Sequence, residues 1–276
     1  MELSTYVRKL DPGLLDRLPA LPPEFPNRSI GRAADERKLE GIDVVIEWPC
    51  TPHGRARRIL TRSGARRRYS VPCFRGGERF AHCESPEEAT AAVLLDACCG
   101  IEFQEHPAII RFRWRNEWQE HRPDTLVVCG NRKEFWELKK DHEALDLCVR
   151  RRSEHLAKLL QPLGLRYRLV STRSLCASSY YRNAIEMRRR AKLLAKKPEW
   201  ATRLLERVSN QQKVCAGLVL GNIAEDERLD ALCSHLYHGT LRGDLSTPVS
   251  LDMHVRPPLP NKGEAPWLWE LFERNS

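Results

Sequence analysis

The stretch His121-Arg122-Pro123-Asp124-Thr125-Leu126-Val127-Val128-Cys129-Gly130-Asn131-Arg132-Lys133-Glu134-Phe135-Trp136-Glu137-Leu138-Lys139 carries the strongest fold signal in the chain. Thr125 to Cys129 is an apolar run of strand length, Gly130-Asn131 is a turn signal, and Glu134 to Lys139 is a second strand. Strand side chains alternate between faces, so Glu137 and Lys139 point one way and Trp136 and Leu138 the other. Asp124, at the start of the first strand, is then expected to converge with Glu137 and Lys139 on its hairpin partner. Two hard oxygen donors beside a cation suit a hydrolytic Mg²⁺ site, where the cation lies next to the attacked phosphate. Taken singly, Asp124 after a proline reads as a turn residue, and Glu137 with Lys139 as a solvated strand face. The strand–turn–strand context, with an acidic helix start upstream, favours the site.

The bulk properties agree with a polyanionic partner. The chain has 276 residues and a net charge of +9, and seven arginines, Arg55, Arg57, Arg58, Arg62, Arg66, Arg67 and Arg68, fall within fourteen positions. Such a cluster with few nearby acids repels itself unless something anionic neutralises it, and duplex phosphates do so. Few aromatics are interleaved, so stacking on single strands is not favoured. Smaller groups stand at Arg150-Arg151-Arg152 and Arg188-Arg189-Arg190. The ten cysteines are scattered and include no Cys-x-x-Cys pair, which points to buried or free thiols of a cytosolic protein, with zinc the lesser alternative. No apolar run approaches the ~20 residues of a membrane span, and no signal-peptide core opens the chain, so the expectation is a soluble protein with no membrane partner.

Along the chain, 1–40 reads as a Pro-rich, then charged N-terminal arm. Ile42 to Trp48 is strand-like, and Arg57 to Tyr69 alternates around Ser63-Gly64 as an arginine-rich hairpin. Ser85-Pro86-Glu87-Glu88 has the order of a helix start: N-cap, first-turn proline, acidic third position. That helix stops near Gly100, and strands follow at Ile101–Gln104 and Ile109–Trp114. After the hairpin, a helix over 143–160 places Leu145, Cys148, Val149, Leu156 and Leu159 at helical spacing, and Tyr167–Val170 returns as a strand. Residues 41–174 thus form one α/β unit. Residues 175–256 read as a mainly helical domain with winged-helix character, its helices at 180–197, 199–208, 211–220 and 229–237 and its wing at His238–Leu241 and Val249–Val255. Residues 257–276 read as a linker and tail.

Glu88 has two readings. It is either the closing member of a capping box or a third metal carboxylate, with Glu84 and Glu87 as rivals. Its helical stripe with Ala92 and Leu95 turns it toward the core. His121 suits positioning of a phosphate or water, although a lone histidine beside a strand is more often structural. The same bland reading is preferred for Gln104. The basic tail suits a protein partner as well as nucleic acid.

Pro-Asp followed by Glu-x-Lys on the next strand, preceded by a helical Glu, resembles the PD-(D/E)xK nuclease superfamily. More narrowly, the chain is similar to the TnsA-type endonuclease subunits of heteromeric transposases. The similarity rests on the arginine hairpin around Arg58-Ile59-Leu60-Thr61-Arg62-Ser63-Gly64-Ala65-Arg66, on Glu84-Ser85-Pro86-Glu87-Glu88 and on Ile101-Glu102-Phe103-Gln104-Glu105-His106-Pro107. It continues through the hairpin and through Leu232–Leu236, Gly239-Thr240-Leu241 and Asp244-Leu245, spanning about 40–255. Thr125 departs from the Phe that commonly follows the Asp. The resemblance implies a restriction-endonuclease-like mixed sheet flanked by helices, in the cytoplasm of a bacterium. It implies Mg²⁺-dependent cutting of the non-transferred 5′ strands at transposon ends in duplex DNA, with Mn²⁺ as a substitute. Glu88, Asp124 and Glu137 would hold the metal and Lys139 would orient the water, while Arg57, Arg58, Arg62, Arg66, Arg67 and Arg68 would bind DNA. Its partners would be a DDE transposase subunit (TnsB-like) and an AAA+ regulator (TnsC-like). The competing readings are a stand-alone restriction- or repair-type nuclease and a non-catalytic DNA-binding adaptor.

Overall fold

The apolar alternation of the central segment is realised as mixed α/β structure. The computed structural model describes residues 6–7, 43–49, 68–74, 79–176, 179–191, 206, 208, 214–219 and 224–257. The arm 1–40 apart from Tyr6–Val7, the arginines Arg57, Arg58, Arg62, Arg66 and Arg67, and the tail beyond Pro257 lie outside them. Elements in chain order are β1 (Tyr6–Val7), β2 (Val44–Glu47), β3 (Tyr69–Cys73), β4 (Arg79–Cys83), α1 (Pro86–Ala97), β5 (Glu102–Glu105), β6 (Ile109–Trp114), β7 (Glu117–His121), β8 (Thr125–Cys129) and β9 (Arg132–Lys139). They continue with α2 (Asp141–Ala144), α3 (Leu147–Leu160), β10 (Leu165–Ser171), α4 (Thr172–Cys176), α5 (Ser179–Ala191), β11 (Val214–Cys215), α6 (Ala216–Val219), α7 (Glu225–His238), β12 (Arg242–Gly243) and β13 (His254–Arg256). Among the described residues no helix is long and apolar enough to cross a membrane.

The chain divides into two compact units, Met1–Arg66 with Phe103–Leu169, and Arg67–Glu102 with Val170–Ser276. The first holds two four-stranded sheets, ordered β1-β2-β6-β7 and β10-β9-β8-β5. β8 and β9 are interior strands, and every β8 residue is buried, which is why β8 reads as a continuous apolar run. The core of the unit joins Val44, Ile46 and Trp48 to Ile110 and Phe112, to Leu126, Val128 and Phe135, and to Leu156 and Leu160 of α3. Trp48 stacks on Phe135 with centroids 5.6 Å apart. α3 thereby closes one face of the sheet that carries Asp124 and Glu137.

The second unit is built on β3–β4, α1, α5 and α7, with a three-stranded sheet ordered β11-β13-β12. Its two parts are clasped by Asp96, 1% exposed. One carboxylate oxygen of Asp96 accepts from the Phe74 N–H at 2.9 Å, and the other from Arg188 Nε at 2.8 Å and the Tyr237 hydroxyl at 3.0 Å. This clasp explains a grouping that differs from the expected 41–174 division: residues 67–102 associate with the C-terminal helices.

Three local expectations change. The helix over 143–160 is split, because the Asp146 side chain caps the Cys148 and Val149 N–H groups at 2.7 and 3.2 Å and restarts the helix at Leu147. Gln211–Leu220 does not form one helix: its described part is strand β11 followed by the short α6. The wing strands fall at Arg242–Gly243 and His254–Arg256, and they are joined by β11.

Candidate functional site

Asp124 is fixed by its backbone before its side chain acts. Its N–H donates to the Trp136 carbonyl at 3.1 Å, and its own carbonyl accepts from the His106 N–H at 2.8 Å. One carboxylate oxygen accepts from the Leu138 N–H at 2.7 Å. β8 and β9 pair antiparallel with Thr125 opposite Trp136, so continuing the register by one residue sets Asp124 opposite Glu137. The hairpin turn at Gly130-Asn131 has the length required for that register, with Gly130 at φ 56° where a side chain would be strained.

Glu137 is the electrostatic centre. It is 2% exposed, and its two oxygens are divided between two sets of partners. Oε1 lies 2.8 Å from Lys139 Nζ and 3.3 Å from an Arg152 terminal nitrogen. Oε2 lies 3.0 Å from His121 Nε2 and accepts from the Tyr167 hydroxyl at 3.4 Å. Tyr167 and His121 also bond to each other at 2.6 Å. Burial alone pushes the Glu137 carboxyl up, but the His121 hydrogen bond and charge, with Lys139 beside it, outweigh burial and hold the group at about 2. Glu137 is therefore anionic throughout the neutral range. Burial tends to discharge Lys139, and the Glu137 charge, with Asp124 adding to it, reverses this and raises the ammonium above its ordinary range. The Tyr167 hydroxyl is raised well above its ordinary value, first by burial and then by the adjacent Glu137 charge, so it stays protonated and acts as a donor.

The structure therefore brings together Asp124, Glu137 and Lys139, and it adds His121, Tyr167 and Arg152. Tyr167 reads in sequence only as the start of a strand, and Arg152 as one of three basic neighbours. Arg150 and Arg151 are exposed while Arg152 turns inward. The readable signal for Tyr167 was the alternation of Leu165 and Tyr167 with Arg166 and Arg168, which turns the phenol toward the sheet interior.

Glu88 stands in the second unit, at the start of α1. Ser85 Oγ accepts from the Glu88 N–H at 3.1 Å, and Glu88 Oε2 accepts from the Glu84 N–H at 2.9 Å. The capping box is thus formed, with its return bond one residue before the N-cap. Glu88 and Glu87 are each 8% exposed, Glu88 on the stripe with buried Ala92 and Leu95 and Glu87 on that of buried Ala91 and Leu94. Gln104 lies on β5, which is hydrogen-bonded to β8. Of the expected DNA-contacting arginines, Arg68 is described, and it leads directly into β3.

Arg188 is bound to Asp96, and Arg190 is bound to Glu186 at 2.5 Å and Asp230 at 2.5 Å, so much of this basic run is neutralised within its own unit. All described cysteines are free thiols, and burial raises Cys73 to about 11 and Cys233 to about 12.

The donor set around Asp124 and Glu137 fits a hard divalent cation. Mg²⁺ takes one or two protein carboxylates and keeps several waters. Here one carboxylate is anionic and buried, and the second is fixed opposite it on the neighbouring strand. No family model matches the chain, and no curated protein matches it.

Proposed function

We propose that this protein is a metal-dependent DNA endonuclease of the PD-(D/E)xK type, serving as the TnsA-type subunit that cuts the non-transferred 5′ strands at transposon ends beside a DDE transposase. The observation that carries the reading is the convergence of Asp124, Glu137 and Lys139 on one β-hairpin, with Glu137 held at about 2. Asp124 and Glu137 would hold Mg²⁺, with Glu88 as the proposed third carboxylate. The ion would supply Lewis acidity at the scissile phosphate and lower the pKa of bound water.

The chain's own residues supply the rest. Lys139 stays protonated, so its ammonium can donate to a water or to a phosphoryl oxygen as negative charge grows there. Its 2.8 Å bond to Glu137 fixes where that donor stands. Tyr167 and His121 pin Oε2 of Glu137, which leaves Oε1 as the oxygen shared by Lys139 and Arg152. Leu138 holds Asp124 through its amide, so the second carboxylate does not depend on a flexible partner.

The test is cleavage of a plasmid carrying the transposon ends, with this protein, its partner transposase and Mg²⁺. Asp124→Ala should abolish the 5′ cut and leave 3′ nicking in place. A 5′ cut that survives the change removes the site assignment. Cutting at a fixed sequence by the purified protein alone supports a restriction-type enzyme instead.

A further inference from the structure

β10 is an edge strand, and a cleft of about 690 Å³ beside it is not used by the proposed chemistry. Its lining includes four cationic side chains, Arg132, Lys133, Arg166 and Arg168, against a single carboxylate, Glu134. Glu134 is 0% exposed. Its Oε2 accepts from Arg132 Nε at 3.1 Å and an Arg132 terminal nitrogen at 2.8 Å. Its Oε1 accepts from Trp136 Nε1 at 3.1 Å and from Arg168 Nε.

Charged residues on an edge strand are commonly explained as protection against strand pairing. Exposed lysines or arginines would suffice for that. A fully buried carboxylate engaging two guanidiniums does something more specific, because it holds both at the cleft wall. A guanidinium carries five donors in a rigid fork, suited to the oxygens of phosphate. Arg166 is exposed on the same strand and adds a third guanidinium.

The position of the cleft is informative. Tyr167 lines it, and the Tyr167 hydroxyl also bonds His121 and Glu137. Glu134 precedes Glu137 by three residues on β9, so the two side chains point to opposite faces of the sheet, and the guanidiniums gathered by Glu134 stand on the face away from Lys139. We infer that this cleft takes a stretch of DNA sugar-phosphate backbone away from the cleaved bond, with its phosphates held by Arg132, Arg166 and Arg168. The inference rests on the nuclease reading.

The test uses the full-length chain and a short duplex containing a transposon end, with binding measured across a salt series in Ca²⁺ and cutting measured separately in Mg²⁺ with the partner transposase. Arg166→Ala leaves the Glu134 cluster untouched, and Glu134→Gln with Arg168→Ala avoids stranding a buried charge. Each should lower the slope of log K against log salt by about 0.9 for each phosphate contact removed. Arg115→Ala, on the β6–β7 turn and outside the cleft, should leave the slope unchanged. Unchanged slopes in both cleft variants, with cutting intact, overturn the cleft and spare the nuclease reading. A slope shift without any cutting supports the cleft and removes the nuclease reading. Absence of duplex binding removes both.

Discussion

Replacing Glu137 by Gln keeps the size of the side chain and removes one buried negative charge from among Lys139, Arg152 and His121. Two routes give the magnitude. A carboxyl held at about 2 against an ordinary 4.5 corresponds to about 3 kcal/mol of folding free energy. Removing one partner from a buried ion pair costs about 3–5 kcal/mol, and the retained amide oxygen puts this change at the lower end. The folded-state value is depressed, so the contribution is complete above the unfolded value near 4.5 and is lost as pH falls toward 2. Urea unfolding of both proteins should therefore show wild type more stable by about 3 kcal/mol at neutral pH. The gap should close between about pH 5 and pH 2. A gap that is absent at neutral pH, or that does not change with acidification, refutes the view of Glu137 as a buried anion stabilised by its partners.

Tyr167→Phe removes the 2.6 Å bond to His121 and the 3.4 Å bond to Glu137, and should lower stability by about 1–2 kcal/mol in a thermal or urea melt. An unchanged melt would show that the phenol does not hold Oε2. Lys139→Met should slow strand cutting by about 10²–10³-fold, the scale of losing one donor at a developing charge, with single-turnover rates as the readout. Glu88→Gln separates helix capping from metal binding, since Gln also closes capping boxes. Its stability should match wild type to within about 0.5 kcal/mol, while cleavage falls by at least the ~10–100-fold that even outer partners of a metal site cost. Full cleavage in that variant would leave Glu88 as a cap alone.

The hairpin was legible because its signals are local. Gly130-Asn131 supplies the turn, and the apolar run on β8 is as long as the strand itself. β7 was not legible: its turn is Arg115-Asn116, with both residues at positive φ, 52° and 65°, and with no glycine to announce it. The split of the long helix was hidden by periodicity. Leu145 sits at a position that suggests a buried face, yet it is 70% exposed, because Asp146 beside it acts as an N-cap and restarts the helix. The core of the site was legible as Asp124, Glu137 and Lys139, which lie on two strands joined by a short turn. Arg152, His121 and Tyr167 come from α3, β7 and β10, and nothing in local sequence brings three separate elements to one carboxylate. The arginine run on α5 looked like free positive surface because its neutralising partners, Asp96 and Asp230, are far away in the chain.

The most direct test of the central claim is strand-resolved mapping of transposon-end cleavage by the two-protein mixture with Asp124→Asn. The Asn side-chain oxygen can still accept from the Leu138 N–H, so the hairpin keeps its 2.7 Å anchor while losing the charge. The account predicts loss of the 5′-strand cut with the 3′-strand cut at its wild-type level. A 5′-strand cut at the wild-type rate would contradict it.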